Sequence, residues 1–159
     1  MKFANVLLIW SVLCTALSAE ETWMYPVLSP GSSGVHKSND VRIADYSTQV
    51  IDREFATFDE ILKWYCDRIG SATVSDALIK YKKRPSDAAD VHHGSAIARN
   101  GDSGRTTIVT YVFTPTHSQI TMLHPVEAGG VLAISLLGTE QNTGIQIIRR
   151  HREVPAANN

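Results

Sequence analysis

The sequence predicts an α+β fold, with one or two helices packed on an antiparallel sheet of four to five strands. Three observations predict it. Residues 57–69 carry an amphipathic helix with signals at both ends. From Ser95 onward the apolar residues recur with period two. Short turns join the segments of that second half, and consecutive short connections favour an antiparallel meander.

Residues 41–52 read as the first strand, with Tyr46, Thr48 and Val50 on one side and Gln49 and Ile51 on the other. Thr57 with Glu60 three residues later forms a capping box, which satisfies two orphan amide donors at a helix start. Asp59 and Glu60 suit the positive end of the helix dipole. Phe58, Ile61, Leu62, Tyr65 and Ile69 make one apolar stripe, and Trp64 flanks it. Arg68 and Gly70 are the expected C-terminal signals. Residues 75–83 predict a second, short helix with Ser75 as its cap and Leu78, Ile79 and Tyr81 inward; Pro85 ends it. Residues 86–93 read as a polar connection.

Asn100-Gly101 predicts a hairpin, because both residues accept positive φ. Residues 105–114 alternate, with Val109, Tyr111 and Phe113 on one face. Residues 118–124 form another strand, and Gly129-Gly130 turns the chain. Residues 131–137 are apolar on both faces, as expected of a central strand. Residues 139–144 turn, and 145–150 close the sheet. In outline the order is cystatin-like or NTF2-like.

The chain has 159 residues, with 15 Lys and Arg against 16 Asp and Glu and a net charge of -1. Residues 1–19 read as a cleavable secretory signal: Lys2, an apolar run from Ala4 to Leu13, then Thr15, Ala16, Ser18 and Ala19 as small residues. Cleavage falls after Ser18 or Ala19. The apolar run is shorter than the roughly 20 residues a membrane anchor needs. Leu13 directly before Cys14 argues against lipidation. Residues 20–40, rich in Pro, Ser and Gly, are expected to be loosely structured, with Trp23 and Tyr25 docking on the domain. Residues 41–152 form a single domain, and 153–159 a frayed tail. The expected location is periplasmic or extracellular. After cleavage only Cys66 remains, so no disulfide forms within the mature chain. No mature segment spans a membrane, and the near-neutral charge gives no reason to expect nucleic acid.

The segment from Phe58 to Ile69, FDEILKWYCDRI, resembles a helix of type F-[DE]-x-[VI]-x-x-[FW]-Y-x-x-[RK]-[LI] in small exported bacterial proteins of unknown function. In that group a strand precedes the helix and an antiparallel sheet follows. The ending at 131–137, 139–142 and 144–150, and the opening Tyr25-Pro26, are similar to it. The resemblance implies a fold and an envelope location. It implies no activity.

Each candidate for chemistry has a simpler structural reading. Gly101-Asp102-Ser103-Gly104 matches the tetrad around a chymotrypsin-like serine nucleophile. Arg105 stands where the fifth glycine belongs, the chain is too short for two barrels, and these are ordinary turn residues. Cys66 with His92 or His93 suggests a thiol nucleophile and base, but Cys66 lies along the apolar stripe, where burial makes a thiol inert. His92 and His93 with Asp87 and Asp90 suggest a metal cluster, but adjacent histidines in extended chain point opposite ways. His36, His117, His124 and His151 are scattered. Lys80, Lys82, Lys83 and Arg84, and Arg149, Arg150 and Arg152, read as solvated or docking surface. Trp23, Trp64 and Tyr65 read as the edge of the core rather than a carbohydrate cleft.

No residue is therefore assigned as catalytic, cofactor-binding or metal-binding. The expected function is a non-catalytic envelope domain that binds or scaffolds a protein or small ligand. The alternative is a small ligand-binding domain or hydrolase using the concave sheet face, with Thr110, Tyr111, His124 and Arg149 converging in a pocket. A cystatin-like protease inhibitor would need a Gln-x-Val-x-Gly loop, which the chain lacks.

Overall fold

A computed structural model describes residues 23–26, 44–82, 91–126 and 130–150. The strand β1 (Ala44–Asp52) leads into the helices α1 (Phe58–Arg68) and α2 (Ala72–Lys82). Five strands follow: β2 (His92–Arg99), β3 (Thr106–Phe113), β4 (Ser118–Pro125), β5 (Val131–Gly138) and β6 (Asn142–Arg150). They form one six-stranded sheet in the order β1-β6-β5-β4-β3-β2, and every pair is antiparallel. The fold is α+β, as the sequence predicts, with six strands rather than four or five. The strand leading into the Asn100-Gly101 turn starts earlier than expected: His92 and His93, read as part of a polar connection, lie in β2, held by backbone bonds to β3.

α1 forms where its pattern predicts. The Thr57 hydroxyl accepts from the Glu60 amide at 3.3 Å, and the Glu60 carboxylate accepts from the Thr57 amide at 2.7 Å. Phe58, Ile61, Leu62, Tyr65 and Cys66 are buried, and Gly70 follows at φ 70. α2 starts earlier than expected. Ser75 does not cap it but sits a turn inside, its hydroxyl donating to the Ala72 carbonyl at 2.7 Å. The tight Gly70-Ser71 connection lets helix resume at Ala72, with the Ser71 amide donating to Cys66.

The β2–β3 turn is also differently built. The positive φ falls at Gly104, and Asn100 acts through its side chain: its carboxamide oxygen accepts from the Asp102 and Ser103 amides, and its nitrogen donates to the Ile69 carbonyl. The hairpin is thereby tied to the end of α1.

Both helices lie on one face of the sheet. Ile51, Val109, Ile120, Met122, Leu132, Ile134, Leu136 and Ile145 point into the core with α1. β5 is central in the sheet but not apolar by need on both faces: burial alternates along it, and Leu137 on the outer face is 47% exposed. Residues 23–26 dock on the helix side, as expected of Trp23 and Tyr25. The buried Gln49 carboxamide grips the Tyr25 backbone at both ends, each bond 3.1 Å, and the Tyr65 hydroxyl donates to the Trp23 carbonyl at 2.7 Å. Trp64 packs edge-on against Tyr25 and Tyr65, and the Arg68 guanidinium lies 5.1 Å from Trp23 and 4.9 Å from Trp64.

Thr57→Ala removes the cap and is expected to cost about 1 kcal/mol, read as a lower midpoint in urea. The bonds from Thr57 hold the Glu60 carboxyl below its ordinary range. That part of the stability is complete above the ordinary carboxylate range and fades as pH falls through the lowered folded value. The deficit of Thr57→Ala should therefore shrink on acidification in pH-dependent urea titrations.

Candidate functional site

Two features of the surface qualify for attention. The first is a cleft of about 430 Å³ at one end of the molecule, between the start of α1, Lys82 and the β3–β4 and β5–β6 turns. Phe58 forms its floor against Gly138, where a Cβ would run into the ring. Several of its charges and hydroxyls are engaged within the chain. Lys82 pairs with Asp59, the Arg53 guanidinium reaches the Glu140 carbonyl at 3.4 Å, and His117 Nδ1 bonds the Thr114 hydroxyl at 2.9 Å. The capping box takes up the Thr57 and Glu60 amides at the start of α1.

The second is the outer face of the sheet, opposite the helices. Cross-strand register arranges it in rows. Ile97, Ile108, Leu123, Ala133, Ile148 and Tyr46 are successive neighbours across all six strands. The next row is Ser95, Thr110, Thr121, Ser135, Gln146 and Thr48. The third is His93, Val112, Gln119, Leu137, Gly144 and Val50. None of these positions is Asp, Glu, Lys or Arg. Ile97 is 75% exposed, Ile108 47% and Leu123 41%. The hydroxyl row is partly self-bonded, with Thr121 and Ser135 at 3.3 Å.

The residues expected to converge in a pocket do not. Tyr111, His124 and Arg149 face the helices, whereas Thr110 is on the outer face. His124 is buried, with Nδ1 2.8 Å from the Thr107 hydroxyl and Trp23 tilted over it at 6.1 Å. Tyr111 stacks on Phe113 and meets Tyr81 edge-on. Arg149 is half-buried, its Nε without a hydrogen bond among the described residues.

Cys66 is fully buried, and burial, with Asp67 and Asp76 adding to it, pushes its thiol up to about 12. His92 Nδ1 is instead 3.3 Å from the Tyr81 hydroxyl, and His93 points to the opposite face of the sheet. Asp87, Asp90, Lys83, Arg84 and Arg152 lie outside the described residues, as do residues 1–22, 27–43 and 151–159. Ser103 in the Gly-Asp-Ser-Gly tetrad accepts from the Arg105 amide at 3.3 Å within the β2–β3 turn. Among the described residues no three or more His, Cys, Asp and Glu side chains gather as metal ligands, and no helix is long and apolar enough to cross a membrane.

Sequence reasoning missed the outer rows and Gln49. The rows were legible only once register was known, because the residues of each row are far apart in the chain. The period-two pattern of β3 did hold the signal that Ile108 and Val112 face away from Val109.

In the native protein Cys66 should resist a thiol reagent at pH 8 and react fully in denaturant. Cys66→Ser, which buries a hydroxyl among apolar neighbours, should cost about 1–3 kcal/mol in urea unfolding. Comparison with protein-family models, curated proteins and solved structures finds no match.

Proposed function

We propose that this chain is an exported, non-catalytic binding domain that uses the outer face of its sheet as the contact surface. The observation that carries the reading is the composition of that face: three rows across six strands without an Asp, Glu, Lys or Arg side chain. Depletion of charge with retained apolar and hydroxyl groups marks the centre of protein interfaces. Ile97, Ile108, Leu123, Val131 and Leu137 stand exposed on this one face rather than scattered over the surface.

The helix side supports the same reading from the opposite direction. Its one thiol is buried and neutral, and its buried histidine is bonded to a threonine. A reaction centre needs a nucleophile or base with room for a substrate, and these groups have none. In the end cleft, Lys82 is paired with Asp59 and the Thr114 hydroxyl with His117.

Export is the compartment that the first nineteen residues favour. In the producing cell, sequencing of the mature chain should begin at Ala19 or Glu20. A chain retaining Met1 in the cytosolic fraction would overturn export. Contact through the sheet is tested by hydroxyl-radical footprinting in the cell's own compartment against the dilute purified chain. Ile97, Leu123 and Leu137 should label more slowly in the cell; equal labelling would sink the interface.

A further inference from the structure

We infer that the outer sheet face is occupied by a second copy of this chain, packed face to face about a two-fold axis that runs across the strands. The inference rests on the binding reading above and names its partner. Three observations carry it: the area of the face, the fit of its rows to one another, and the charges at its two ends.

The area is sufficient. Strands about 4.8 Å apart and residues rising about 3.3 Å give a six-stranded face on the order of 700 Å². Two such faces bury on the order of 1,400 Å², the size of a standard stable interface.

The rows fit. Sheets that pack on one another keep their strands within about 30° of alignment. An axis along the hydroxyl row lays each strand over its own copy, running in the opposite direction. The hydroxyl row then meets itself, and the row from Tyr46 to Ile97 meets the row from Val50 to His93 of the second copy. Large residues fall on small ones: Ile148 faces Gly144, and Ala133 faces Leu137. Ile108 faces Val112, Tyr46 faces Val50, Leu123 faces Gln119, and Ile97 faces His93. All of these pairs stand two residues from the hydroxyl row along their strands.

The ends choose the axis. Arg99 and Arg150 stand at one end of the outer face, and Asp52 at the other. The axis across the strands brings Arg150 of one copy over the end of the β1–β6 pair that holds Asp52 of the second. An axis along the strands would instead gather the arginines of both copies at one rim, which costs repulsion.

Sedimentation equilibrium on residues 20–159 tests the inference. The wild-type chain should be a dimer with a Kd of about 1 µM or tighter. Ser135 lies on the axis, so Ser135→Lys and Ser135→Asp each place like charges face to face. Each should weaken the dimer about 100-fold, with an unchanged far-UV circular dichroism spectrum. An equimolar mixture of the two should restore association. Thr121→Lys and Thr121→Asp, one strand away on the same row, repeat the test should either Ser135 variant fail to fold.

A wild-type chain that stays monomeric at hundreds of micromolar would overturn the second copy. So would charged variants that dimerise as well as wild type, or a mixture no tighter than its components. Footprinting separates that failure from failure of the binding reading. A monomer whose face is protected in the cell but labelled in the dilute purified chain has another partner. A monomer protected even when dilute has its face covered by its own chain.

Discussion

The fold rests on one burial: the stripe of α1 laid against a single face of the sheet. Phe58, Ile61, Leu62 and Tyr65 meet the inward residues of the strands there, and Ile69 closes the end of the stripe. Side chains of this size stabilise by about 1.5–3 kcal/mol each when fully buried. Two helices of eleven residues are each about 16 Å long, enough to roof one face and no more. The opposite face is therefore left to whatever the alternate residues of six strands provide. Over the three middle rows they provide apolar and neutral polar groups, with Arg99, Arg150 and Asp52 only at the ends.

The polar groups beneath the helices have a different fate. Gln49 holds Tyr25, the Tyr65 hydroxyl holds Trp23, His124 holds Thr107, and Asn100 holds the end of α1 at Ile69. Each bond satisfies a group that would otherwise be costly to enclose. Three of them also fasten a piece of chain that has no strand neighbour of its own. Side chains committed in this way are fixed in place by the fold itself. The protein thus spends its inward polar chemistry on architecture, and its distinctive surface lies on the other side.

Local pattern was enough for α1, because the capping box, the stripe and Gly70 all act within fourteen residues of chain. It was enough for β3 and β4, where alternation is clean. It failed where a backbone partner did the specifying. His92 and His93 joined β2 through β3, and Ser75 was overruled by the turn at Gly70 and Ser71. β5 misled for a related reason. Val131 and Leu137 look like core when read along the strand, yet no second layer covers them among the described residues. Burial of a strand face is decided by what the rest of the chain can place over it, and that is not written in the strand. Part of the failure of a converging pocket was legible: Thr110 and Tyr111 are adjacent in a predicted strand and so lie on opposite faces.

An open sheet can associate through its edges or through its face, and the two routes solve different problems. Pairing at the edge strands β1 or β2 would satisfy free backbone groups but leave every apolar row in water. Packing on the face removes those rows from water and leaves the edges as they are. The larger unfavourable exposure lies on the face, where Ile97, Ile108, Leu123 and Leu137 stand open. A net charge of -1 puts little repulsion between copies. The hydroxyl row between the apolar rows keeps the face wettable, because each Thr and Ser can return to water when the contact opens. Such a surface suits a reversible contact between folded copies better than a core formed only on assembly.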